Sequence, residues 1–598
     1  KIFDRFFGAM SGDDDPEMLM HCFVETSESR AADVTFEKIT RDLLGYVETL
    51  ATTSGQQLVR ELENAVELKK GEVVLIIGNK GAGKSTFIDR FFGQILNRSL
   101  RRKCLVIRID MAESSGDLNT IQNWITSQML EGIEKSFYHG QSPDYDELQG
   151  IFFRDYVRWS EGELRHLYQS DRTAFKIEFG RYMREQVQTD KYGYVIRLLH
   201  HAIRGRKLLP CVVFDNTDQF SQQFQEEVFQ YAQAIYRAVL SFVIVPITDR
   251  TLWRLSKAGP LQSYTTKTFY LPVPPAREVL AKRVAFIQRQ TAEEQKQRAE
   301  YFFTRGIRLS IENIVAFSAC LEEMFVNDDY IGRRVSWLAN LDIRRSLELT
   351  HRIVTSPSIA IEELVATYLS KRFVTIPRFK IGLALVLGGY NFFNGAESNY
   401  IDDVLSIRKD AVTSPLLKLS LLRLLIDRAH QTRDVSDTYV PVEEIEAYFE
   451  PMGVASRTID LAIGDLLKFR LVEPYDPNDD RIYSTQKVAI AYSGRMHMEM
   501  CLQDAIFMGQ MALRTQLRSY DIAEEIRYLH STRTADREAW AKVISCFVSY
   551  LVDEDANFLR VPSHQSYLGQ VQLREEFSGR WIIQDREMLV SARVAHGS

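Results

Sequence analysis

Cysteine is scarce in this chain, which has only six among 598 residues. They form no C-x-x-C pair, and no group of cysteines and histidines has the spacing of a zinc site. The sequence therefore excludes a disulfide framework and a zinc finger, and we expect a reduced, cytoplasmic setting. The cysteines are Cys22, Cys104, Cys211, Cys320, Cys501 and Cys546.

Long apolar runs and a strong excess of charge are also absent. The longest apolar stretch, residues 381–388, is much shorter than the roughly 20 residues that a membrane-spanning helix needs, so we expect no membrane association. Lys and Arg number 74 and Asp and Glu number 80, which gives a formal net charge of −6. Any contact with nucleic acid would therefore have to come from a local basic patch.

The sequence GNKGAGKS at residues 78–85 matches the phosphate-loop pattern G-x-x-x-x-G-K-[ST]. The apolar run at 73–77 predicts a buried strand before it, and a helical pattern follows it, as the motif requires. Backbone N–H groups would converge on phosphate oxygens, Lys84 would reach the β- and γ-phosphates, and the Ser85 hydroxyl would ligate Mg²⁺. We therefore predict a nucleoside triphosphate site formed by Gly78, Asn79, Lys80, Gly81, Ala82, Gly83, Lys84, Ser85 and Thr86.

Further apolar runs predict the rest of a sheet. We expect buried strands at residues 104–109, 209–214 and 242–245, with helical patterns between them. Strands of this kind that alternate with helices imply an α/β fold whose parallel sheet is covered on both faces.

Asp215 follows one of these strands and is the candidate carboxylate for the Mg²⁺ shell, together with Ser85. The next residue is Asn216, whose side chain cannot accept a proton. Either Asp218 is the base that activates water, or hydrolysis is slow and the nucleotide acts as a switch. The other interpretation of Asp218 is an N-cap of the following helix.

Several motifs resemble those of AAA+ and STAND ATPases. The Asp-x-x-Asp pattern at 215–218 is similar to a NACHT-type Walker B region, although most AAA+ enzymes have a glutamate where Asn216 stands. VPITDR at 245–250 resembles the STAND sensor 1, which implies that Arg250 contacts the γ-phosphate. Arg254 resembles an arginine finger that acts on a neighbouring subunit's nucleotide. LDIRRSL at 341–347 is similar to the sensor 2 of AAA+ initiators, which implies a γ-phosphate contact from Arg344. For Arg250 and Arg344, a merely solvated arginine is the alternative.

The resemblance implies an AAA+/STAND-type P-loop ATPase with ATP and Mg²⁺ as cofactors. Its nucleotide state would control homo-oligomeric assembly, as a ring or similar, and engagement of a protein partner through a winged helix or the C-terminal region. Parts of the chain also look like ATPases of bacterial conflict and antiviral systems. The alternatives are a loader-like ATPase that binds DNA as origin-recognition proteins do, and a nucleotide-locked scaffold with little turnover.

Shifts in pattern and this resemblance predict six domains. Three helices and a hairpin, whose second strand we expect at Ile482–Ser484, predict the winged helix. The domains are an N-terminal helical segment (1–66), a P-loop α/β domain (67–275) with a helical insertion at about 135–195, a helical lid (276–370), a linker helix and loop (371–411), the winged helix (412–495) and a mostly helical C-terminal domain (496–598).

The charge of the predicted winged helix favours a protein contact over DNA. DNA binding is dominated by phosphate neutralisation, and acidic side chains oppose it. The wing is acidic, and the outward face of the recognition helix carries no net charge. These wing and helix residues are Asp476, Asp479 and Asp480, and Arg457, Asp460, Asp465 and Lys468.

We predict that the winged helix gives no salt-sensitive binding to duplex DNA, because this surface has no basic excess, and a nucleic acid partner is kept as the alternative. Fluorescence anisotropy of a labelled duplex, titrated with protein at low and high salt, measures the affinity. Salt-sensitive binding that Arg457→Glu abolishes would contradict the prediction and support the DNA-binding alternative.

Overall fold

The chain forms two compact units, Met10–Val273 and Lys1–Ala9 together with Pro274–Ser598, here called the N-terminal and C-terminal units. The six predicted domain ranges remain predictions. The computed structural model describes residues 7, 16–24, 47–79, 81–248, 251–252, 266–294, 301–303, 307–309, 311–371, 377–390, 392–395, 398–408, 412–431, 438–476, 481–532 and 537–582.

A six-stranded parallel sheet forms the centre of the N-terminal unit, and its spatial order is β1-β6-β2-β5-β4-β3. The predicted α/β fold with a parallel sheet is therefore confirmed. Its strands are β1 (Glu48–Thr49), β2 (Glu72–Ile77), β3 (Cys104–Asp110), β4 (Leu209–Asp215), β5 (Phe242–Ile247) and β6 (Lys267–Tyr270).

Both faces of the sheet are buried, which explains why its central strands are apolar throughout. Successive side chains of a strand point to opposite faces. Along β2, Val73, Leu75 and Ile77 join one apolar core, whereas Val74 and Ile76 join the other.

Helices cover the sheet and form most of the segment between β3 and β4. The aromatic residues Phe152, Phe175 and Phe179 of this segment are buried in the same core as Leu75. The helices are α1 (Pro16–Cys22), α2 (Gln56–Leu68), α3 (Lys84–Arg90), α4 (Arg98–Arg101), α5 (Ile121–Phe137), α6 (Tyr145–Ile151), α7 (Phe153–Arg158), α8 (Arg165–Ser170), α9 (Arg172–Thr189), α10 (Lys191–Arg206) and α11 (Gln222–Ala238).

The C-terminal unit is mostly helical around one apolar core. Of the described residues, none forms a helix that is both long and apolar enough to cross a membrane. Its helices are α12 (Ala276–Glu294), α13 (Ile311–Glu322), α14 (Asp329–Leu338), α15 (Ile343–Val354), α16 (Ile361–Lys371), α17 (Arg378–Leu387), α18 (Leu417–Gln431), α19 (Val442–Phe449), α20 (Ser456–Lys468), α21 (Tyr492–Gln503), α22 (Ala505–Arg514), α23 (Tyr520–Thr532), α24 (Arg537–Phe558) and α25 (Leu568–Trp581).

The strands of this unit form an antiparallel pair and a three-stranded sheet of order β10-β11-β9. With α18, α19 and α20, the three-stranded sheet has the chain order of a winged helix. The second wing strand lies at Lys487–Ile490, so its predicted position at Ile482–Ser484 was wrong. Here Val488 is fully buried and pairs with Val440 of β9, a strand that the sequence analysis did not predict. The strands are β7 (Tyr301–Phe303), β8 (Ile307–Leu309), β9 (Val440–Pro441), β10 (Val472–Pro474) and β11 (Lys487–Ile490).

A buried ion pair joins α14 to the start of α22. The Arg334 guanidinium donates to Asp504 Oδ2, and the two side chains are 4% and 5% exposed. Asp504 Oδ1 also accepts from the backbone N–H groups of Ile506 at 2.9 Å and Phe507 at 3.1 Å, which caps α22. Removing one partner of such a pair leaves the other charge buried without compensation.

We predict that Arg334→Met lowers the free energy of unfolding of the C-terminal unit by about 3–5 kcal/mol, because Asp504 stays buried. Arg333→Met is the matched control. In the ion pair between Arg333 and Glu499 the arginine side chain is 44% exposed. We therefore expect Arg333→Met to lower the free energy of unfolding by at most about 1 kcal/mol. Urea denaturation followed by intrinsic fluorescence measures both, and equal losses would contradict the prediction.

Candidate functional site

The described residues between β2 and α3 form a glycine turn of the kind that a phosphate loop needs. Gly81 and Gly83 have φ of 81° and 83°, in the left-handed region that glycine adopts most readily. The Ala82 N–H donates to the Asn79 carbonyl at 3.1 Å and closes the turn. At Gly78 a Cβ would lie 3.3 Å from both Ala82 Cβ and Leu271 O, so the backbone approaches its neighbours closely there.

Lys84, the first residue of α3, folds back over this loop. Its Nζ donates to the carbonyl oxygens of Gly78 at 2.9 Å and Asn79 at 3.2 Å. These two hydrogen bonds place the ammonium at the loop. The Lys84 side chain is half-buried there. Asn79 Oδ1 is buried and has no hydrogen-bond partner among the described residues, which leaves a polar atom for a ligand to satisfy.

Ser85 and Asp215 meet at the carboxyl end of the sheet. The Ser85 hydroxyl donates to Asp215 Oδ1 at 3.0 Å. This contact spans β5, which lies between β2, the strand before Ser85, and β4, the strand that ends at Asp215. Asp215 is 2% exposed. A hydroxyl and a carboxylate in contact are oxygen ligands of the kind that Mg²⁺ prefers.

Arg108 of β3 is the second partner of Asp215. Its Nη2 donates to Asp215 Oδ2 at 2.5 Å, and its Nη1 donates to Asp89 of α3. Burial alone lowers the pKa of Arg108, but the negative charges of Asp215 and Asp89 outweigh burial and raise this pKa above its ordinary value. The guanidinium therefore stays charged at neutral pH.

Asn216 adopts a left-handed conformation with φ of 57° and points its amide at another carboxylate. Its Nδ2 donates to Asp110 Oδ1 at 2.8 Å, where β3 and β4 end side by side.

Asp218 lies in the single turn Thr217–Gln219 that follows Asn216. Ser221 is the N-cap of α11, so the N-cap interpretation of Asp218 was wrong. Among the described residues, the partly exposed Asp218 carboxylate makes no hydrogen bond or ion pair.

The structure brings Lys84, Ser85 and Asp215 together, and Thr86 is buried in the first turn of α3. Lys80, Arg250 and Arg254 lie outside the described residues, so the roles that the sequence predicts for them remain predictions. Arg344 belongs to the C-terminal unit, where it is exposed in the first turn of α15.

Sequence analysis missed Arg108 and its second partner, Asp89. The signal was present, because Arg108 interrupts the apolar run of β3, and a charge in a buried strand needs a counterion. Only the three-dimensional structure identifies that counterion, since Asp89 and Asp215 lie 19 and 107 positions from Arg108 in the sequence.

The donor set fits part of a Mg²⁺ shell. No group of three or more His, Cys, Asp or Glu side chains in the described part of the chain is placed to bind a metal. Mg²⁺ typically takes one or two protein ligands and completes its shell with phosphate oxygens and water. Ser85 and Asp215 would supply the protein ligands in such a shell.

Comparisons with known proteins give weak similarity. No family model and no curated protein matches the chain. Solved structures that it is similar to include Cdc6p from Pyrobaculum aerophilum, at 12% identity, with 77% of this chain and 93% of that chain covered and a TM-score of 0.28. The Aeropyrum pernix ORC1 protein in complex with DNA is 12% identical, with 79% of this chain and 98% of that chain covered and a TM-score of 0.27. Drosophila ORC bound to DNA is 11% identical, with 81% of this chain and 98% of that chain covered and a TM-score of 0.27.

TM-scores of this size do not establish a relationship. The class of fold is therefore assigned from the sheet, the loop and the lysine of this chain. A parallel sheet covered on both faces, a glycine loop between a buried strand and a helix, and a lysine over that loop together define an α/β P-loop NTPase fold.

Proposed function

We propose that the protein binds ATP with Mg²⁺ and hydrolyses it as an AAA+-like ATPase. The contact between Ser85 Oγ and Asp215 Oδ1 at 3.0 Å carries the proposal, because it joins the phosphate loop to the carboxylate strand. The contact spans the strand β5, which lies between the loop strand β2 and the aspartate strand β4. The AAA+ part of the proposal rests on the sequence resemblance of the motifs at 215–218, 245–250 and 341–347.

We assign each residue of the site a proposed role from the chemistry of its side chain and the contacts that it makes. The backbone N–H groups after Gly78 and the Lys84 ammonium neutralise and orient the phosphates. Ser85 and Asp215 would hold Mg²⁺, which supplies charge neutralisation of the β- and γ-phosphates when bound. Asp218 is the proposed base, because its carboxylate has no competing partner among the described residues. The roles proposed for Arg250 and Arg344 at the γ-phosphate, and for Arg254 across a subunit boundary, rest on sequence resemblance alone.

A nucleotide-locked scaffold is the second candidate, and Asn216 favours it. The residue directly after Asp215 carries a neutral amide, which is not basic enough to take a proton from water, and its Nδ2 donates to Asp110. If Asp218 does not replace it, bound ATP would persist and act structurally. Nucleotide-controlled oligomeric assembly, a protein partner at the winged helix or C-terminal region, and a role in an antiviral system remain proposals from the sequence resemblance.

We predict that Lys84→Ala weakens binding of Mg²⁺·ATP by about 100-fold or more, because charge-assisted hydrogen bonds to phosphate are lost. Lys70→Ala, which removes an exposed lysine just before β2, is the matched control and should bind as the wild type does. Isothermal titration calorimetry measures both affinities. Unchanged binding by Lys84→Ala would refute the proposed ATP site.

We predict that Asp218→Asn lowers kcat for ATP hydrolysis by about 10²–10⁴-fold while ATP affinity stays unchanged, because only the proton acceptor is removed. Phosphate release under saturating ATP measures kcat. A wild type that binds ATP tightly but releases no phosphate would favour the scaffold instead. Hydrolysis that Asp218→Asn leaves at the wild-type rate would exclude Asp218 as the base.

A further inference from the structure

A guanidinium lies beside the predicted metal ligands. Arg108 connects Asp215 at the end of β4 with Asp89 on the phosphate-loop helix α3. The exposed fractions of the three side chains are 26% for Arg108, 3% for Asp215 and 12% for Asp89. Charges so little exposed to water interact strongly with one another.

The two oxygens of Asp215 have separate partners. Oδ1 accepts from the Ser85 hydroxyl at 3.0 Å and from the Asn216 N–H at 2.9 Å, whereas Oδ2 accepts from Arg108 at 2.5 Å. The carboxylate therefore cannot rotate without losing a hydrogen bond on one side or the other. Arg108 thereby helps to fix the plane of the carboxylate relative to Ser85.

The guanidinium weakens the attraction of this cluster for a free metal ion. Asp89, Asp215 and Arg108 sum to one negative charge, whereas the two carboxylates without the arginine sum to two. Mg²⁺ that arrives without phosphates meets one hydroxyl, one already paired carboxylate and a neighbouring guanidinium. The triphosphate of a nucleotide would supply the missing oxygen ligands and negative charge.

We propose that Arg108 is a positioning residue and a built-in counterion that keeps Mg²⁺ from binding before the nucleotide, while it orients Asp215 for the metal that arrives with ATP. This inference rests on the proposed function and adds an order of binding to it. The arginine makes metal binding conditional on phosphate, so that the site remains a nucleotide site and not a free cation site.

Thermal unfolding without nucleotide tests the proposal. Millimolar MgCl₂ should leave the melting temperature of the wild type unchanged. In Arg108→Gln the positive charge that contacts both Asp215 and Asp89 is removed, so the variant should melt lower without metal and should gain about 2–4 °C from MgCl₂. A variant that gains nothing, or a wild type that gains as much, overturns the proposal.

Two further variants distinguish the effect of the net charge of the cluster from the effect of losing the Arg108 side chain. The double variant Asp89→Asn/Arg108→Gln has the wild-type net charge of one negative, so its response to MgCl₂ should return toward zero. Arg108→Lys keeps the charge but loses the planar fork, so it should exclude free Mg²⁺ while orienting Asp215 less well. If the double variant gains as much as Arg108→Gln, net charge does not control the metal.

Metal binding to the wild-type protein tests the proposal even if the variants do not fold. Mn²⁺ can replace Mg²⁺ as a paramagnetic probe, and electron paramagnetic resonance counts the free ion. We expect wild-type protein to bind Mn²⁺ only when ATP is present, and binding of similar affinity without ATP overturns the proposal. Failure of ATP to bind the wild type would refute the proposed function, whereas the MgCl₂ response of Arg108→Gln would still report on the arginine.

Discussion

The pairing of Asp215 is the constraint on which the site depends. This carboxylate ends a fully buried strand and is 2% exposed, and a charge at that depth is stable only with hydrogen-bonding partners. Ser85 comes from the phosphate-loop helix and Arg108 from the neighbouring strand. The carboxylate therefore ties together β3, β4 and α3, and each of these elements contributes a side chain to the site.

Covering both faces of the sheet makes this arrangement possible. Parallel strands end at one edge of the sheet, so Ser85, Asp110 and Asp215 lie near one another although long segments separate them in sequence. The apolar cores on the two faces keep water from those strands. Polar chemistry is thus confined to one edge, where a lysine, an arginine and several carboxylates are held by hydrogen bonds.

Local patterns predicted what is locally determined. The phosphate loop follows from glycine and lysine spacing, and the strands β2, β3, β4 and β5 follow from apolar runs such as Val73–Ile77, because both are encoded within a few residues. The edge strand Glu48–Thr49 was missed because it is two residues long, and Lys267–Tyr270 because its Thr and Lys weaken the apolar signal. The contacts of Arg108 could not be predicted, since they depend on which helix and strands are neighbours. The wing was misplaced because Ile482 and Val488 are similarly apolar, and only pairing with Val440 distinguishes them.

A structure determined with Mg²⁺ and a slowly hydrolysed ATP analogue would locate the nucleotide, the metal and Arg108 in one measurement. We expect the triphosphate on the loop at Gly78–Ser85, the metal beside Ser85 Oγ and Asp215 Oδ1, and Arg108 still bonded to Asp215 Oδ2. A nucleotide bound elsewhere would contradict the assignment of the site. A metal that displaces Arg108 from Asp215 would contradict the role given to the arginine.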